Sequence, residues 1–161
     1  MGRKTPYKPK KFESAQFYTD KNGKKHGDTS ANIYMTMLLS QAWRDLTKNQ
    51  QILYLYCKAQ YYAEKRKPKH DEDNEFGNEW YFTMNKSKWC DLYGIYTENN
   101  KAQFRKDMAE LINKGFIRCV ACGWYDKQKT IYAYSSKWQK YGTSEFKVNI
   151  QDMTTHMRNK L

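Results

Sequence analysis

The apolar and polar positions are most regularly patterned between residues 82 and 138. Residues 84–93 read as a short helix, with Asn85 at the N-cap and Gly94 as the stop. Ile95 and Tyr96 make a turn. Thr97 opens a longer helix that runs to about Asn113 and is ended by Gly115. Phe104, Met108, Leu111 and Ile112 recur at i, i+4, i+7 and i+8, which is one buried face. The other face opens with Asn99, Asn100, Lys101 and Gln103 and continues to Lys106. Residues 116–122 form an apolar strand and 123–129 a polar, basic turn. Residues 130–134 form a second strand rich in β-branched and aromatic side chains. The apolar run 80–83 is a short strand that enters this unit and joins its sheet.

Upstream, residues 31–65 read as helical. Ser40 caps a short helix, and Thr47 with Gln50 has capping-box spacing for the next. Ile52, Leu53, Tyr56, Ala59 and Ala63 form the core face of that helix, ringed by Trp43, Tyr54, Tyr61 and Tyr62. Pro68 ends it, and 64–79 is a loop that turns from basic to acidic. Downstream, Trp138 and Tyr141 close the sheet. Phe146, Val148, Ile150, Met153 and Met157 punctuate a mixed tail. Helix, turn, helix and hairpin in this order predict an α+β, mainly helical winged helix-turn-helix. It has a small antiparallel β-hairpin wing and an additional N-terminal helix. The predicted domain covers 31–142, between a basic, flexible arm at 1–30 and a C-terminal tail or short helix at 143–161.

Charge changes the picture more than size does. The chain has 161 residues and a net charge of +12, with a pI of about 9.4. A balance this basic points to nucleic acid, an acidic protein or an anionic membrane as partner. Aromatics make up 16% of the chain and mean hydropathy is −1.06, so Tyr, Trp and Phe must fill much of the core. No apolar run approaches the roughly 20 residues of a spanning helix, and the basic N-terminus lacks the apolar stretch of a signal peptide. A cytoplasmic protein with reduced cysteines and no membrane association is the expectation. Arg3, Lys4, Lys8, Lys10 and Lys11 head the arm. It reads as a phosphate clamp or as a solvated tail, with a small ribbon where residues 16–19 precede the Asn22-Gly23 turn.

Candidate catalytic and metal chemistry is sparse. His26, His70 and His156 stand in unrelated surroundings, without the paired spacing of a metal or nicking site. The acidic loop lacks the glycine and distal Glu of a calcium loop. Cys119 and Cys122 have C-x-x-C spacing but no second pair, and on a strand they face opposite sides. The expectation is a protein without catalysis, cofactor or metal.

A helix of this kind fits the major groove, with its first residues against base edges. Asn and Gln pair with adenine, and Lys reaches guanine. Thr97, Asn99, Asn100, Lys101 and Gln103 supply such groups where the second helix begins. Lys106, with Lys86 and Lys88 on the preceding helix, is set for phosphate. Lys127, Gln128 and Lys129 on the turn reach backbone or minor groove. Double-stranded DNA is the expected partner, and a homodimer and a protein partner stay open. In the competing reading the chain is a protein-binding module. General RNA or single-strand binding by the arm is weaker still.

Three segments carry a family likeness. They are Tyr34-Met-Thr-Met-Leu-Leu-Ser-Gln-Ala-Trp43 with Leu46-Thr47 and Leu53-Tyr54; Leu111-Ile-Asn-Lys-Gly-Phe-Ile117; and Tyr132-Ala-Tyr-Ser-Ser-Lys-Trp138 with Tyr141-Gly142. In these the chain resembles winged-helix proteins of phages and mobile elements of Gram-positive bacteria, among them the DNA-binding parts of replication initiators and related accessory proteins. The resemblance implies DNA binding at the second helix and wing. It leaves replication, transfer and transcription control as alternatives, and gives the competing protein-binding reading the form of a phage factor that inhibits or recruits host or defence machinery.

Overall fold

The computed structural model describes residues 9, 11–61, 81–121 and 130–148. Capping chemistry sets its first helices. Ser40 Oγ accepts the Trp43 backbone N–H and starts α2 (Gln41–Arg44), which follows a single turn, α1 (Met35–Leu38). Thr47 begins α3 (Lys48–Lys58) with the full reciprocal capping box. Its N–H donates to Gln50 Oε1 at 2.9 Å, and its Oγ1 accepts the Gln50 N–H at 3.4 Å. The inward face of α3 is Gln50, Leu53, Tyr54 and Cys57, one residue out of phase with the expected stripe. Ile52, assigned to the core from the sequence, is 44% exposed, whereas Tyr54, assigned to the rim, is fully buried. Ala63 and Tyr62 lie outside the described residues.

The second half begins with β3 (Tyr81–Thr83). A wide turn at Ser87–Leu92 follows, then a tight 3₁₀ turn at Glu98–Asn100 and α4 (Lys101–Asn113). Gly115, at φ +78°, ends α4. The Gly115 N–H reaches Ile112 O and the Phe116 N–H reaches Leu111 O, a Schellman closure that needs a left-handed residue. The chain returns as β4 (Ile117–Ala121) and β5 (Ile131–Tyr134). β5 lies between β3 and β4, antiparallel to both, and the β4 register shifts between Cys119 and Ala121. Near the N-terminus β1 (Phe17–Thr19) pairs with β2 (Lys25–Gly27) in a separate ribbon, where the Asn22-Gly23 signal placed one.

Aromatic rings join these layers. Phe82 stacks on Tyr134 at 4.9 Å, and Phe116 packs against Tyr54 and Trp43 and lies parallel to Trp138. Phe82 and Phe116 have no exposed surface. Burial of each stabilises the fold by about 1.5–3 kcal/mol. The Tyr134 hydroxyl donates to Cys57 O at 2.6 Å and so ties the end of α3 to the sheet.

These observations correct the expected fold class. The described residues form an α+β arrangement with short helices and two small antiparallel sheets, not a mainly helical winged helix-turn-helix. The segment expected to be the first helix of the pair is a single π-type turn closed by Tyr93 N–H to Lys88 O at 2.8 Å. Its cause is local. Trp89 is drawn inward onto Phe104, 4.8 Å away, while the adjacent Lys88 is also drawn inward, by Thr83. Thr97 starts the next segment without a side-chain cap, so a 3₁₀ turn precedes α4.

Candidate nucleic-acid interface

One face of the α4 region is fixed in the core and its beginning is not. Phe104, Asp107, Met108, Leu111 and Ile112 face inward, while residues 97–103 are all exposed. Asn99, Ala102, Gln103 and Lys106 fall on the outward side at helical spacing. Asn99, Asn100, Lys101 and Lys106 have no side-chain partner among the described residues, so their amides and ammonium groups are available.

The remaining expected contacts divide. Lys86 is exposed, but its ammonium is paired with Glu98, and this hydrogen bond holds its pKa above the ordinary lysine value. Such a surface pair is weak and salt-screened, so a phosphate can compete for the lysine. Lys88 is not placed for phosphate. Its Nζ donates to Thr83 O at 3.1 Å and Thr83 Oγ1 at 3.0 Å, and also to Gln60 Oε1. It is a half-buried tether between β3, the π-type turn and the end of α3. Thr97 is exposed. Lys127, Gln128 and Lys129 lie outside the described residues.

Beneath this face is a polar junction that the sequence reading missed. Asp107 is 1% exposed. Its Oδ1 accepts Gln50 Nε2 at 2.9 Å and Gln103 Nε2 at 3.0 Å, and its Oδ2 accepts the Tyr96 hydroxyl at 2.7 Å. Burial, and then the neighbouring Asp107 carboxylate, push the Tyr96 hydroxyl far above its usual range, so it stays a donor. The signal for Asp107 was in the spacing. Position 107 is three residues after Phe104 and four before Leu111, on the apolar stripe itself, where a carboxylate must find donors.

The N-terminal ribbon approaches the same region. Lys21 Nζ donates to Asp91 Oδ2 at 2.7 Å, linking the ribbon to the π-type turn. Within it, Asp20 Oδ1 accepts the backbone N–H groups of Asn22 and Lys24, and Oδ2 bonds His26, which stacks on Tyr18 at 5.1 Å. Lys24 and Lys25 are exposed and have no side-chain partner among the described residues.

Cys57 and Cys119 are buried and Cys90 half-buried, all as free thiols, and Cys122 lies outside the described residues. Burial pushes the Cys57 thiol well above its usual range, away from a reactive thiolate. Among the described residues, no three His, Cys, Asp or Glu side chains converge on a metal-sized site. No helix among them is long and apolar enough to cross a membrane. Comparison with protein-family models, with curated proteins and with solved structures returns no match.

Proposed function

We propose that the chain binds duplex DNA, without catalysis, through the 3₁₀ turn and the first turns of α4. The observation that carries this reading is the row Asn99, Asn100, Lys101 and Lys106. These are hydrogen-bonding and cationic side chains with no side-chain partner among the described residues, at the exposed start of a helix whose other face is held in the core. Base-edge readers are of this type and stand at this position. The net charge of +12 supplies the sequence-independent attraction, and Lys24 and Lys25 on the ribbon add exposed cations to it. The reading requires a cytoplasmic protein. A role in replication, transfer or transcription control of a phage or mobile element is the part of the proposal that rests on sequence resemblance alone.

The test is fluorescence anisotropy on duplex fragments of the parent replicon at several salt concentrations. One fragment bound far above the rest, with a steep salt slope, is the expected result. Replacing Asn99, Asn100 and Lys101 together by Ala should abolish tight binding to that fragment and leave the circular dichroism unchanged. Uniform weak binding that vanishes by physiological salt would overturn the reading.

A second reading, a protein-binding module or homodimer, is favoured by a different surface. Tyr34, Met35 and Leu39 on and beside α1, and Ile52 and Leu55 on α3, expose 38–70% of their area. Size-exclusion chromatography with light scattering, and pull-down with an Ile52→Asp control, would test it.

A further inference from the structure

A glutamine amide in water turns over freely and offers its oxygen or its nitrogen with equal ease. Gln103 cannot. Its Nε2 donates to Asp107 Oδ1 at 3.0 Å, and a carboxylate only accepts, so the nitrogen must face it. Asp107 cannot follow a turning amide either. It is 1% exposed and is held by Gln50 from α3 and by the Tyr96 hydroxyl from the turn before Thr97. One hydrogen of Gln103 Nε2 is therefore taken. The other hydrogen and Oε1 remain on an exposed side chain one turn into α4. A donor and an acceptor side by side match N7 and the N6 amino group of adenine in the major groove.

We propose that Gln103 is the adenine-specifying side chain of the DNA-reading helix, and that Asp107 is a positioning residue that fixes the orientation of its amide. This rests on the duplex-DNA reading above. Asn99 and Asn100, which lack such a tether, contribute contacts that tolerate several bases.

The experiment is selection of bound sites from a randomised duplex pool by the full chain, followed by affinities for single-base variants of the selected site. The wild-type site should contain one adenine whose replacement weakens binding about tenfold. Gln103→Ala should erase that preference. Gln103→Glu should move it toward cytosine, whose N4 donates to a carboxylate. In Asp107→Asn the new amide can donate as well as accept, so Gln103 can turn over. The preference should fall to about two- to threefold while the salt slope is unchanged. Ile112→Val trims the core of the same helix and should keep the preference, which separates loss of orientation from loss of stability. The Gln103 variants alter an exposed position, so they decide the matter even where Asp107→Asn fails to fold. If the wild type selects no site, the DNA reading itself falls. If it selects a site and Gln103→Ala leaves every position's preference intact, the assignment of Gln103 falls and the DNA reading stands.

Discussion

Replacing Asp107 with Ala removes the acceptor for three donors at once. Gln103 is exposed and its amide can turn to water at little cost. Gln50 and Tyr96 are each 6% exposed and cannot. Each buried donor left without a partner costs about 1–3 kcal/mol. Removing a buried carboxylate also relieves its own desolvation, and Ala is the better helix former. The net loss should be about 2–4 kcal/mol, a large share of the roughly 5–15 kcal/mol that holds such a domain together. Urea unfolding followed by tryptophan fluorescence measures it, because Trp89 stands edge-on to Tyr96 at 6.3 Å and reports on this junction. The midpoint should fall with the slope unchanged. In a Tyr96→Phe background one orphan donor is already gone, so Asp107→Ala should cost about 1–3 kcal/mol less there. A loss under about 0.5 kcal/mol, or strict additivity of the two substitutions, would refute the claim that this carboxylate joins α3, the turn and α4.

Gly115→Ala would place a Cβ 2.6 Å from Trp138 N and 2.8 Å from the Lys137 carbonyl carbon, at φ +78°. It should cost more than about 2 kcal/mol, whereas Gly94→Ala, at φ +60° in open space, should cost about 1 kcal/mol, and thermal unfolding of the two compares them. Lys88→Met should lower the melting temperature and leave the salt dependence of DNA binding unchanged, while Lys106→Ala should do the reverse and reduce the salt slope by about one. The Asp20 carboxylate is held below its ordinary range by the hydrogen bond with His26 and then by the Lys24 N–H. A lowered folded-state pKa stabilises above the unfolded value, near 3.9, and the contribution is lost as pH falls through the lowered value. The Lys24 and Asn22 amides should therefore lose protection from exchange only below about pH 4, and loss already at pH 6 would contradict that assignment.

Local chemistry was legible where one residue type decides the backbone. The Thr47–Gln50 capping box, the stop at Gly115 and the Asn22-Gly23 ribbon each follow from a side chain acting on its own neighbourhood. Phase was not legible on α3. Ile52 and Leu53 are equally apolar, and it is the partners, Phe116 against Tyr54 and Tyr134 against Cys57, that choose which faces inward. Lys88 read as a surface charge because Thr83 and Gln60 meet it only after the chain has folded back. The wide turn at Ser87–Leu92 was hidden for the same reason, since two adjacent inward side chains follow from tertiary contacts and not from a period of 3.6. The exposed residues Asn99, Asn100, Lys101 and Lys106 were named correctly as solvent-facing, because an apolar stripe of fixed spacing dictates its own opposite face.

Gln50 acts at two places. Its oxygen closes the first turn of α3, and its nitrogen holds a carboxylate on α4. A helix's first turn ordinarily frays, and its amides exchange with solvent without any wider opening. Here the Thr47 amide cannot open by rotation of the Gln50 side chain unless Asp107 also gives up a donor, which loosens Tyr96 and Gln103. The start of α3 is therefore tied to the same cooperative unit as the middle of α4, and its amide should exchange with the slowest set in the chain. What looks like a helix end is, kinetically, part of the interior.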